Sequence, residues 1–333
     1  MKRKIVIAIL CAAVSIGTVG CGNSTASAKT TQTQTDKKED SKSENSEKSS
    51  EEKQSRDIFA MDTYMTVTAY GEHASEAVDK AETEIKRLDG MLSTGNENSE
   101  VYKLNQNGEA VVSDDTAYLY ERSEKIYKQT KGVFDISIYP VMDAWGFTTE
   151  NYRIPAEDEL SALLKNVDAS KIQYDKKTKK ITLPKNVKID FGGIAKGYTS
   201  SRIMQIYKKC GVTSGLVSLG GNVQLLGAKP DGSAWKVAVE SPDEDGNYLG
   251  ILKAKDKAVI TSGGYERYFE KNGKKYHHII DPSTGYPAEN GLTSVTIVSD
   301  DGTLADGLST SLFIMGKEKA EKIWKQQLRK QKA

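Results

Sequence analysis

From Gly22 to Asp57 the chain contains no Val, Leu, Ile, Met or aromatic residue. Ser, Thr, Lys, Glu and Gln dominate. Such a stretch cannot bury enough apolar surface to offset the entropy lost on ordering. It reads as a flexible polar tether, and it confines any packed core to the residues beyond it. The folded part is expected to begin near Ile58 and to run to about 330 as one domain.

Residues 1–20 read as a targeting segment. Lys2-Arg3-Lys4 is a positive n-region, and Ile5 to Val19 is apolar, too short and too rich in small residues for a good membrane span. It runs into Thr18-Val19-Gly20-Cys21, and a small residue just before a Cys resembles a bacterial lipobox. Thr18 stands where Leu is usual. The resemblance implies cleavage before Cys21 and lipidation of that Cys, so the organisation reads as leader 1–20, tether 21–57 and domain 58–330. The implied location is the extracytoplasmic face of the cell membrane, held by lipid alone. Lys+Arg is 47 and Asp+Glu 46; loss of residues 1–20 removes three positive charges and no acidic ones, leaving 44 against 46. A net charge of −2 supplies no electrostatic membrane affinity and argues against a nucleic-acid partner. Cys11, Cys21 and Cys210 are too few for a disulfide scaffold. With no Cys-x-x-Cys and only His73, His277 and His278, the chain offers no good zinc set.

Beyond the tether, Met65 to Ala69 alternates like a strand. Ala77, Val78, Ala81, Ile85, Leu88 and Leu92 share one face of a helix over about 74–92. A second helix follows Asp114-Asp115, taken as an N-cap pair. Asn186 to Phe191 reads as a strand, broken by Gly192-Gly193 and followed by a helix from Ile194 to Lys209 that Gly211 stops. Short β-type runs follow at 216–218, 223–226, 235–239, 248–255, 258–261, 266–270, 276–280 and 292–298. Helices at about 305–315 and 317–330 close the chain. Partial segregation of helices and strands favours an α+β fold, with mixed, largely antiparallel sheets and packed helices.

Four stretches can carry chemistry. In Asp190-Phe-Gly-Gly193-Ile-Ala-Lys196-Gly197 the glycines allow close backbone approach, and a helix start offers free N–H groups to an anion. Lys196 is expected in the first turn, where a cation opposes the helix dipole, so it reads either as a phosphate partner or as a solvated side chain of a tight turn. Asp306 and Thr310 stand at i and i+4, presenting a carboxylate and a hydroxyl on one helical face, a hard-oxygen pair that suits Mg²⁺; Asp306 as a plain N-cap is the alternative. His277 and His278 are adjacent on an expected strand and so face opposite sides. One of them can serve as a base or hold a phosphate oxygen, or the pair is structural within a rigid Asp281-Pro-x-Thr-Gly-x-Pro287 turn. Trp145-Gly146-Phe147, after Phe134-Asp135, forms either a wall for a planar ligand or core.

Together these stretches resemble the ApbE family of FAD:protein FMN transferases. The matching elements, in order, are Met61-Asp62-Thr63, Ser99-Glu100 with Leu104-Asn105, Phe134-Asp135 with Trp145-Gly146-Phe147, Asp190 with Lys196-Gly197, Ser218 to Asn222, Thr261-Ser262-Gly263 with Tyr268-Phe269, His278 to Pro287, and Asp306 with Ser309-Thr310. The resemblance spans about 58–325. It implies a site in a cleft between the α-rich and β-rich parts, where FAD with Mg²⁺ is cleaved at its pyrophosphate. FMN would pass to a Thr or Ser of an extracytoplasmic acceptor protein and AMP would be released. It further implies that Met61, Trp145, Gly146, Phe147, Asp190, Lys196 and His278 contact FAD. Gly193 (through its carbonyl), Asp306, Ser309 and Thr310 would hold the metal, and His278 would be the base, with a pH limb near its ordinary pKa of ~6.5. After Leu92-Ser93-Thr94 many members carry an aromatic residue, where this chain has Gly95. Two other readings keep the same residues: a Mg²⁺-dependent FAD pyrophosphatase giving free FMN and AMP, and a non-catalytic flavin-binding lipoprotein.

Overall fold

A computed structural model describes residues 10–13, 52–242 and 247–332. Cys21 and most of the leader and tether lie outside the described residues. The central element is a seven-stranded, wholly antiparallel sheet. Its order is Leu10–Ala13, Leu292–Ser299, Ala258–Gly263, Asn222–Leu226, Ser214–Leu219, Thr63–Tyr70 and Lys53–Ala60. In a chain cleaved before Cys21, Leu292–Ser299 becomes the edge on the side of Leu10–Ala13.

The period of two along each strand separates two cores. Ala258 and Ile260 join Val295 and Ile297 under the helices, whereas Val259 turns the other way. On that second face a two-stranded ribbon, Trp235–Glu240 with Tyr248–Ala254, seats Trp235 and Val237 against Leu225 and Val259. On the helical face lie Ala74–Leu92, Gly192–Lys209 and Gly302–Lys332. The face of Ala74–Leu92 expected from its periodicity is the buried one, from Ala77 and Val78 to Leu88 and Leu92.

Gly302–Lys332 is interrupted at Gly316 (φ 74°, ψ 167°), which accounts for two helices in the sequence reading. It packs against Gly192–Lys209 at very close range. A Cβ on Gly197 would stand 2.3 Å from Gly302 O and 2.6 Å from Asp306 Cβ, so only glycine fits there. Among the described residues no helix is long and apolar enough to cross a membrane.

Several boundaries differ from the sequence reading. The first strand of the domain starts at Lys53, so Lys53–Asp57 belong to the sheet rather than to the tether. These five positions are mostly exposed on an edge strand, where polar side chains carry no burial cost. The helix after residue 112 is Asp114–Thr130, capped by the Ser113 hydroxyl, which accepts Thr116 N–H; Asp114 and Asp115 occupy its first turn. Residues 186–191 form no ladder. Asn105 clamps Ile189 instead, its amide N–H donating to Ile189 O at 2.8 Å and its carbonyl accepting Ile189 N–H at 2.7 Å. The next helix starts at Gly192, which moves Lys196 out of the first turn, so the dipole penalty argued for it does not apply. The strand expected over 276–280 is Lys274–His277, and the chain leaves its ladder at His278.

Candidate active site

One cleft of about 900 Å³ lies where both parts of the fold meet. The α-rich part contributes Phe134, Phe147, Asp190, Gly193 and Lys196. The sheet contributes strand ends and turns at Met61–Thr63, Ser218, Gly220, Gly221 and Thr261 to Arg267. His278 and the helix carrying Asp306 and Thr310 complete it.

Two tight turns shape one wall. Met61 and Asp62 link paired strands with φ of 49° and 57°, a left-handed conformation that non-glycine residues adopt at a cost of about 1–3 kcal/mol each. Asp89 Oδ1 holds this turn by accepting Met61 N–H at 3.0 Å. The facing turn, Gly220-Gly221, also has positive φ, and a Cβ on Gly220 would meet Thr63 Oγ1 at 2.3 Å. Gly220 O accepts from Lys196 Nζ at 3.2 Å, which aims the ammonium along this wall.

Asp306 is buried at the floor. Its Oδ2 accepts Gly197 N–H at 2.7 Å and its Oδ1 accepts the Asn222 amide at 3.1 Å. Burial raises its pKa, opposed by Lys196 and by these two donors. It lies within its helix rather than capping it. The Thr310 and Ser309 hydroxyls lie 3.2 and 2.7 Å from Ser262 Oγ, and Ser309 Oγ also donates to Asp306 O at 2.9 Å. Among the described residues no three His, Cys, Asp or Glu side chains form a metal cluster. A cation here would rest on one carboxylate plus neutral oxygens, the donor set that suits Mg²⁺. A buried carboxylate that burial disfavours as an anion fits that role.

His278 lines the same cleft. Its Nδ1 donates to Arg267 O at 3.0 Å, so the neutral ring keeps a lone pair on Nε2, and Nε2 has no partner among the described residues. Burial, with Lys196 and Arg267 nearby, pushes its pKa down to about 3. The limb expected near 6.5 therefore moves well to the acid side. His277 spends both ring nitrogens internally. Nδ1 accepts Ile279 N–H, Nε2 donates to Ala288 O, both at 3.2 Å, and the ring meets Phe313 edge-on.

The ApbE family model matches residues 61–333. The chain belongs to the ApbE family. Curated relatives include the FAD:protein FMN transferase of Haemophilus influenzae, 31% identical over 78% of this chain and 77% of its own length. That of Vibrio cholerae is 32% identical over 72% and 74%. Among solved structures, the ApbE protein of Thermotoga maritima superposes with a TM-score of 0.78 at 34% identity, covering 82% of this chain and 90% of that one. The apo flavinyl transferase ApbE of Pseudomonas stutzeri gives 0.74 at 28%, covering 83% and 89%.

Of the residues singled out by the ApbE resemblance, the cleft gathers Met61, Phe147, Asp190, Gly193, Lys196, His278, Asp306 and Thr310 along its lining. Trp145 and Gly146 are not part of it. Trp145 is fully buried among Val141, Phe147, Leu160 and Ile280, and its indole N–H donates to Gly285 O at 2.7 Å. Gly146 (φ 81°) is a packing glycine, because a Cβ there would lie 2.1 Å from Asn151 O. Ser309 is fully buried behind Thr310 and braces the Asp306 turn. Gly95 borders the cleft, with open space beside it.

Two cleft residues were missed in the sequence. Glu266 is exposed to solvent within the cleft and faces Lys196, Asp306 and Glu240. Arg267 donates to Phe147 O and holds His278 through its own carbonyl. They sit between Thr261-Ser262-Gly263 and Tyr268-Phe269, and a charged Glu-Arg pair inside a Gly- and Tyr-rich turn was the available signal.

Proposed function

We propose that this chain transfers FMN from FAD to a Thr or Ser hydroxyl of an acceptor protein, with Mg²⁺, and releases AMP. The observation that carries the reading is the pairing, in one cleft, of a buried oxygen-donor floor with a neutral imidazole whose Nε2 is free. The curated relatives bear the name of this reaction.

Asp306, Thr310 and the Gly193 carbonyl would hold the cation, with Ser309 behind them. The donation of Gly197 N–H to Asp306 bears on Gly193, whose carbonyl is the regular helical acceptor for that N–H. A bound cation supplies neutralisation of phosphate charge. Lys196, tethered to Gly220 O, adds a fixed positive charge beside the diphosphate. Met61 offers apolar surface to the flavin, and Phe147, itself buried, packs behind that wall. His278 Nε2 takes the proton of the acceptor hydroxyl as its oxygen attacks the FMN phosphorus. The new phosphoester bond forms as the P–O bond to the AMP phosphate breaks, and AMP departs with the electron pair. Burial disfavours the His278 cation, so the ring is neutral at every physiological pH, and the diphosphate charge of bound FAD raises its basicity for this step.

Water in place of the acceptor hydroxyl would give free FMN and AMP, and the open space at Gly95 admits solvent to the flavin side. Incubation with FAD, Mg²⁺ and an acceptor protein separates the readings. FMN fluorescence that stays with denatured acceptor marks transfer, free FMN marks hydrolysis, and unchanged FAD marks binding alone. The lipobox-like Thr18 to Cys21 and the polar tether support anchoring by lipid at Cys21 on the extracytoplasmic face.

A further inference from the structure

The ribbon Trp235–Glu240/Tyr248–Ala254 has one face buried on the sheet and one face open. The open face carries Lys236 opposite Lys253, then Ala238 opposite Ile251, then Glu240 opposite Tyr248. Ile251 and Tyr248 are each 59% exposed, an unusual state for large apolar side chains on a short ribbon. Lys236 and Lys253 are also exposed, and neither has an ion-pair partner among the described residues. Like charges directly opposite one another on a strand pair cost stability. The face is continuous with the cleft, since Ala238 and Glu240 line it and Glu240 acts electrostatically on Glu266 inside.

We propose that this face is the docking surface for the acceptor protein. It would take an extended segment that sets acidic side chains over Lys236 and Lys253 and an apolar side chain over Ile251, bringing the segment's hydroxyl to the cleft. The proposal rests on the transferase reading above. Successive positions on the open face are about 6.6 Å apart, the spacing of alternate side chains in an extended chain. The face is basic at one end, apolar in the middle and acidic at Glu240, and that gradient selects one direction of docking.

Two synthetic peptides test this, with the same central Thr-Ser pair and one Leu but flanked by Asp and Glu in one and by Lys in the other. FMN incorporation from FAD and Mg²⁺ is followed by mass and fluorescence. The wild-type chain should favour the acidic peptide. Lys236→Glu/Lys253→Glu should lower kcat/KM for it by about tenfold, mainly through KM, and favour the Lys peptide, with FAD affinity unchanged. Ile251→Asp should weaken both peptides while leaving FAD affinity and the unfolding midpoint unchanged. Equal wild-type rates with the two peptides, or an unaltered preference in the double variant, would overturn the docking site. Wild-type enzyme that attaches FMN to neither peptide and to no acceptor protein overturns the transferase reading instead.

Discussion

Gly197→Ala places one methyl group where two helices touch. The new Cβ would sit 2.3 Å from Gly302 O and 2.6 Å from Asp306 Cβ. Comfortable contacts of this kind are about 3.5 Å, so the helices must part by roughly 1 Å. The same movement stretches the 2.7 Å bond from Gly197 N–H to Asp306 Oδ2 beyond hydrogen-bond range. Overpacking costs about 1–3 kcal/mol, and losing a hydrogen bond to a charged group about 1.5–3. Against this stands a gain of about 1 kcal/mol in helix propensity. The net loss is about 1.5–5 kcal/mol, or about 3–20 °C in Tm for a domain of this size. Because Asp306 moves with its helix, the variant should also lose most of the Tm increase that Mg²⁺ with FAD gives the wild type. Calorimetry with and without Mg²⁺ and FAD measures both effects. A variant within 2 °C of wild type and with an unchanged response to Mg²⁺ and FAD would refute the close-packing account.

Asp306→Ala should abolish turnover, at a cost on the order of several kcal/mol in the barrier; near-normal rates in chelator-treated wild type would contradict a metal at this residue. His278→Ala should lower transfer by roughly 10²–10⁴-fold with FAD binding retained, whereas His277→Ala, which breaks the bond to Ala288 O, should cost stability and little rate. Because the folded pKa of His278 is about 3, the unfolded chain binds more protons between pH 6.5 and 3. Its contribution to stability is therefore complete above pH 6.5 and falls as the pH drops through that window, and the rate should show no His278 limb between pH 7 and 5. Cys21→Ser should release the protein from membranes with activity intact, as read by fractionation and by turnover of the soluble fraction.

The backbone plan was largely legible because it depends on neighbours along the chain. The helix Ala74–Leu92 matches its apolar periodicity end to end, and all eight short runs after residue 211 meet an observed strand. Gly211 ends its helix as expected, with φ 82°. Residues 186–191 misled because Val, Ile and Phe favour strands whether or not a partner exists. Ile189 pairs instead with Asn105, a side chain 84 positions away, and Asp190 N–H donates to Ile136 O. Most of the residues singled out by the family resemblance line the cleft, but the resemblance could not separate ligand-facing residues from those behind them. Trp145 and Phe147 stand two apart in one motif, yet only Phe147 reaches the cleft, because the Trp145 indole is pinned to Gly285, 140 positions on.

Local order follows from sterics and period, so the sequence alone determined the apolar faces of the helices and the glycine breaks. Which carboxylate is buried, which histidine keeps a free nitrogen and which lysines face no counter-ion depend on contacts between distant segments. Gly197 meets Asp306 across 109 positions, and His278 keeps Nε2 free in the cleft because Arg267 O takes its Nδ1. Desolvation and hydrogen-bond pairing are properties of that three-dimensional neighbourhood, and no spacing along the chain encodes them.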